Sequence, residues 1–75
     1  MIKVVPLMDR REQLHVTWGQ YGRNEHVIIG AEPKTGFVTM DNNVKMNRTG
    51  VEEVQRALAL AEDIAAGRIE IARDF

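Results

Sequence analysis

His15 and His26 are the only histidines in the chain, and histidine is the side chain whose ordinary pKa lies near neutrality. A proton-transfer or metal-binding role would start with them. Zinc takes three or four protein ligands at recognised spacing, and the acidic neighbours Glu25 and Asp41 offer no such spacing, so no metal is expected. Nucleophilic catalysis needs a Ser, Thr or Cys beside a base that a third group orients. The chain has no serine and no cysteine. Of its four threonines, Thr35 falls in a turn and Thr49 at a helix start, which leaves Thr17 and Thr39, and Thr17 beside His26 is a conceivable pair. Half-polar strand faces bring such neighbours together without catalysis. The carboxylate pairs Glu52-Glu53 and Glu62-Asp63 fall on a solvated helix surface. Gly19-Gln20-Tyr21-Gly22 matches a GxxG pattern that clamps RNA backbone between two helices, yet here it joins two strands. Neither a GxGxxG nor a GxxxxGK[ST] phosphate loop occurs. The reading is a protein without enzymatic activity and without a cofactor.

A chain of 75 residues has room for one core, so residues 1–75 read as a single small α+β domain. At this size folding buries only about 60% of the unfolded surface, and a partner or self-association would add to a thin margin. Hydrophobic content of 44% and charged content of 28% place it with ordinary globular chains. The missing cysteines exclude disulfides, thiolate zinc sites and iron-sulfur ligation. Net charge is −1, and its division is mild: seven basic against five acidic residues over 1–50, three against six over 51–75. No strong field draws the chain to nucleic acid or anionic lipid. The apolar start, residues 1–8, is too short for a signal-peptide core, and no span reaches the length of a membrane helix. The expectation is a cytoplasmic protein with no membrane association.

The elements that position these residues follow from periodicity. Residues 2–8, 14–18 and 26–29 read as strands, and Phe37–Met40 as a fourth. Pro6 puts the first at an edge. Turn residues separate them: Gly19, Gly22 and Asn24 over 19–24, and Pro33 with Gly36 over 31–36. Thr49-Gly50-Val51-Glu52 has the form of a capping box, with Glu52 also placed for a pair with Arg56, and Gly67 sits where a left-handed C-terminal cap is wanted. Between them Val51, Val54, Ala57, Leu58, Ala61, Ile64 and Ala65 span an arc of about 140°, the width of a helix face packed on a sheet. Residues 44–46 fit a short strand or loop, and residues 69–72 a short closing strand or a docked tail. Strand order with short connections predicts an α+β fold: an antiparallel four-stranded β-meander followed by one C-terminal amphipathic α-helix packed on one sheet face, with room for a short fifth strand.

Register sorts the faces. Val16 opposite Val27 and Leu14 opposite Ile29, continued by Ile29 with Val38 and Val27 with Met40, give the face that takes the helix. Trp18 joins that core. The other face then shows His15, Thr17, His26, Ile28, Phe37 and Thr39, a mixed composition suited to an interface. Leu60 falls about 120° from the centre of the helix arc, so it packs at the sheet margin or is open to a partner. The expected function is a non-enzymatic protein-interaction or regulatory module of adaptor or inhibitor type, homodimeric, with Ile28, Phe37, His15, His26, Thr39 and Leu60 as contact residues and a protein partner of unknown identity. The alternative is a single-stranded nucleic-acid binder that stacks bases on Phe37 and Tyr21 while Arg10, Arg11, Arg23 and Lys34 follow the backbone. The layout resembles, in topology alone, small dimeric single-strand binders and small phage-encoded inhibitors; no motif is shared, and fold does not fix function.

Overall fold

The computed structural model describes residues 1–7, 11–20, 22–40 and 44–70. Four strands, β1 (Ile2–Pro6), β2 (Glu12–Gln20), β3 (Arg23–Glu32) and β4 (Phe37–Met40), pair in sequence order as one antiparallel sheet, and α1 (Arg48–Ala65) follows. This is the α+β meander-plus-helix expected. No helix among the described residues is long and apolar enough to cross a membrane.

Alternation in β2 sets the sheet's two faces. Leu14, Val16 and Trp18 are buried, as are their partners Val27 and Ile29 on β3. The β2–β3 register is the expected one, Leu14 to Ile29 and Val16 to Val27, but the strands run further than the turn residues suggested. Gly19, Gln20, Arg23 and Asn24 all pair, and Gln20 opposes Arg23 across a two-residue connection whose Gly22 has φ +76°. A positive φ there matches the right-handed twist of the flanking strands, so the loop contracts to two residues. Likewise β3 continues through Glu32. Gly36, also at φ +76°, donates its amide to the Glu32 carbonyl at 2.8 Å and closes a loop over 33–36. Ile29 therefore opposes Met40, and Ala31 opposes Val38, a slip of two residues from the expected pairing. Because the side-chain period is two, the slip leaves every residue on its expected face.

The helix starts two residues earlier than the capping-box reading placed it. Asn47, not Thr49, is the cap: its Oδ1 accepts from the Gly50 amide at 2.9 Å while its carbonyl accepts from Val51 at 3.0 Å. Gly50 is thereby drawn into the buried face, where a Cβ would stand 2.5 Å from the Trp18 indole ring. Only glycine lets the first turn rest on the ring. The buried stripe becomes Gly50, Val54, Ala57, Ala61, Ile64 and Ala65, turned about 20° from the arc read by periodicity. Val51 is exposed, while Leu58 and Leu60 flank the stripe half-buried against the core. The many small residues bring the helix close to β2, β3 and β4, over which it lies. At its end Gly67, at φ +77°, donates to Ile64 and the next amide, Arg68, donates to Asp63, which is a Schellman cap on the glycine expected for it. On the outer face Glu52 pairs with Arg48, and Arg56 pairs with Glu53 in place of Glu52.

Residues 44–46 run to the helix as irregular chain, so the strand reading fails there: the Lys45 carbonyl accepts from the Gln20 side chain, and Val44 and Met46 pack against the core. Of the closing strand read over 69–72, residues 69 and 70 are not in a strand and 71–72 lie outside the described residues. Met8, at the end of the first expected strand, also lies outside them, as do Arg10, Tyr21 and Asp41.

Met1 ties β1 to both neighbours. Its ammonium donates to the Thr17 carbonyl at 2.6 Å and to Glu53 at 3.0 Å. The ammonium hydrogen bond is the main reason Glu53 titrates below its ordinary 4.5; desolvation opposes it, and the charges of Arg56 and the ammonium add to the lowering.

These contacts generate three predictions. Gly50→Ala should destabilise the fold by about 1–3 kcal/mol through overpacking on Trp18, although alanine ordinarily favours a helix interior. Asn47→Ala should cost about 1–2 kcal/mol and Thr49→Ala should be close to neutral, all three read from denaturant melts. For Glu53, a lowered folded-state pKa means stability that is fully present above the ordinary carboxylate value and lost as pH falls through the folded value. Melting temperature should drop over that acid range, and Glu53→Gln should flatten the drop; an unchanged acid limb in the variant would remove this clamp from the account.

Candidate functional site

One layer of helix covers one side of the sheet, and β1 completes the other. Antiparallel pairing places Lys3 opposite His15, and His15 opposite Ile28, in one row across three strands. The next row runs Val5, Gln13, Gly30 and Thr39; beyond it Glu32 opposes Phe37. On the other side of the His15 row, Thr17 opposes His26. All these positions alternate with the buried set, so they share the face away from α1.

The face is mixed rather than apolar. Phe37 is 64% exposed and Ile28 36%, and they stand two rows apart with Gly30 and Thr39 between. A Cβ on Gly30 would lie 2.6 Å from Thr39 Oγ1, so the threonine leans over a gap in β3 that only glycine leaves open. His15 Nε2 lies 3.2 Å from Gln13 Oε1, and a proton on that nitrogen is donated to the carboxamide. His26 stands on the neighbouring strand, diagonal to His15.

Five of the expected contact residues, His15, His26, Ile28, Phe37 and Thr39, are thus brought onto one face. Leu60 is not among them. It sits half-buried on the flank of α1, packed against the core on the opposite side of the sheet. Lys3, Val5, Gln13 and Gly30 also belong to the face and were not picked out from sequence. The signal lay in β1, where Lys3 and Val5 alternate with the half-buried Ile2 and Val4.

The residues expected for nucleic acid are dispersed. Tyr21 and Arg10 lie outside the described residues; Arg11 is exposed just before the start of β2 and Lys34 in the β3–β4 turn. Arg23 pairs with Glu25 at 2.9 Å. Arg48, Arg56 and Arg68 each pair with a carboxylate on the helix or just beyond it. Such pairing shrinks the positive field a phosphate backbone would meet. Trp18, the best stacking side chain, is 5% exposed and belongs to the core.

A shallow cleft of about 470 Å³ opens between the β2–β3 hairpin and the helix start, lined by Gly19, Gln20, Gly22, Arg23, Asn24 and Asn47. Two of its polar side chains are engaged internally: Gln20 holds Trp18, Lys45 and Asn47, and Asn47 donates to the Gly19 carbonyl. Among the described residues no three His, Cys, Asp or Glu side chains are grouped to hold a metal ion. No family model, no curated protein and no solved structure matches the chain.

The face assignment has a direct test in stability. Ile28→Thr and Phe37→Ser should change folding free energy by less than about 0.5 kcal/mol, as substitutions at exposed positions do. Leu14→Ala, on the same sheet but the covered side, should cost about 2–5 kcal/mol. Denaturant melts in which Ile28→Thr matched Leu14→Ala would mean that the open face is filled.

Proposed function

We propose that the protein is a non-enzymatic interaction or regulatory module, of adaptor or inhibitor type, whose contact surface is the open sheet face. The observation that carries this reading is the exposure of Phe37 and Ile28 on a rigid sheet among His15, His26, Gln13, Thr17 and Thr39. Large apolar side chains held at fixed spacing between short polar ones are what a partner's side chains can interdigitate with, and a sheet holds them there without an ordering cost on binding.

Exposed Phe37 also suits base stacking, which keeps single-stranded nucleic acid as the second reading. The pairing of Arg23, Arg48, Arg56 and Arg68 with carboxylates weighs against it.

A photo-activated cross-linker in place of Phe37, used in the producing cell, separates the readings. Cross-links to protein, this chain included, are expected from position 37, and far fewer from a control at Gln55 on the solvent face of α1. Cross-links to nucleic acid, joined by low-salt oligonucleotide binding that weakens steeply as salt rises, would favour the second reading. Equal, weak labelling at both positions would overturn the interaction surface altogether.

A further inference from the structure

We propose that the outer edge of β1 binds an extended segment of another protein, antiparallel to β1, with an apolar, an acidic and an apolar residue standing opposite Val4, Lys3 and Ile2.

Hydrogen-bond parity fixes what this edge presents. Met1 and Thr17 exchange both backbone bonds: the Thr17 amide donates to the Met1 carbonyl at 2.8 Å, and the Met1 nitrogen to the Thr17 carbonyl at 2.6 Å. Past the other end of the strand, the Leu7 amide donates to the Arg11 carbonyl at 2.8 Å. In an antiparallel ladder such pairs alternate with pairs that exchange no bond. Lys3 and Val5 therefore bond inward to His15 and Gln13 on β2, while Ile2, Val4 and Pro6 turn their backbone groups outward. The N–H and C=O of Ile2 and of Val4 meet no partner among the described residues, and the Pro6 carbonyl extends their row. A row of alternating donors and acceptors at two-residue spacing is matched by an extended backbone.

Side chains give the occupant its character. Ile2 and Val4 face the helix side, but α1 lies over β2, β3 and β4, so both stay half-buried at the margin of the core. Residues opposite each other on antiparallel neighbours share a face, and apolar side chains opposite these two would carry the core layer one strand further. Lys3, between them, is exposed on the open face. Arg23, Arg48, Arg56 and Arg68 each pair with a carboxylate, whereas Lys3 meets none among the described residues. Toward an added strand Lys3 falls at a non-hydrogen-bonded position, where opposed side chains approach most closely. A carboxylate opposite it completes the pair.

The same residues disfavour a second copy of this chain. Two-fold pairing of β1 with itself centred on Lys3 sets two ammonium groups directly opposite each other. Centred on Val4, it faces each Ile2 carbonyl with the Pro6 nitrogen, which has no hydrogen to donate. The edge is blunted against its own sequence and open to one that carries a carboxylate.

Titrating the capped peptide Thr-Val-Glu-Val-Thr into the isotope-labelled chain should shift the Ile2 and Val4 amide resonances and slow their hydrogen exchange, with Thr-Val-Lys-Val-Thr bound about fivefold more weakly. Lys3→Glu, at an exposed position, should reverse that preference while retaining the parent's circular dichroism. Phe37→Ser should leave the titration unchanged, since the edge works apart from the Phe37 and Ile28 surface. Absence of any response at Ile2 and Val4 up to millimolar peptide would overturn the proposal. So would equal binding of the two peptides, or a free chain whose Ile2 and Val4 amides are already protected by a second copy. Shifts confined to Phe37 and Thr39 would also overturn it, while leaving the open face standing as the contact surface.

Discussion

The structure depends on how Trp18 meets the first turn of the helix. The indole lies against Gly50 so closely that a single methyl group there would collide with the ring. Its Nε1 donates to Gln20 Oε1 at 3.0 Å, and the same oxygen accepts from the Asn47 amide at 2.7 Å. Gln20 Nε2 holds the Lys45 carbonyl at 2.8 Å. A side-chain amide only 6% exposed must have its groups satisfied, because each one left without a partner costs about 1–3 kcal/mol. The end of β2 and the start of α1 are therefore fixed to each other by apolar contact and hydrogen bonding together. From that junction the helix has one course, over β2, β3 and β4, with its small residues down.

That course decides what is left uncovered. A single helix shields one side of a four-stranded sheet, and the strands' strict alternation delivers every other side chain to the far side. The composition of the open face is thus a by-product of the core: burying Leu14, Val16, Val27 and Ile29 fixes where His15, Ile28, Gln13 and Thr39 stand. Gly30 adds relief to the surface, since without its missing side chain Thr39 could not lean inward.

Much of this architecture was legible in the sequence because it follows from local rules. Clean alternation in β2 gave its faces, and matching apolar positions gave the β2–β3 register. Gly67 announced the helix end because a left-handed residue is wanted there. What failed depended on distant partners. Thr49 and Glu52 have the right spacing for a cap, yet Asn47 takes the role, since its amide is held by Gln20 from the other end of the fold. The β3–β4 register slipped because a loop of four residues and a longer one fit the same turn residues. Lys3 and Val5 were missed because the pairing of β1 with β2 depends on a connection whose length periodicity does not set. The candidate face itself was legible in outline, since face follows from parity alone. Its use was not, because a mixed apolar and polar surface has no sequence signature as specific as a metal or phosphate motif.

Trp18 is the only tryptophan in the chain. Buried against Gly50 and hydrogen-bonded to Gln20, its indole makes intrinsic fluorescence a report on the seam between helix and sheet. The emission belongs to the covered side of the sheet, so it registers docking of the helix. The molecule carries its own optical gauge of folding at the junction of β2 and α1.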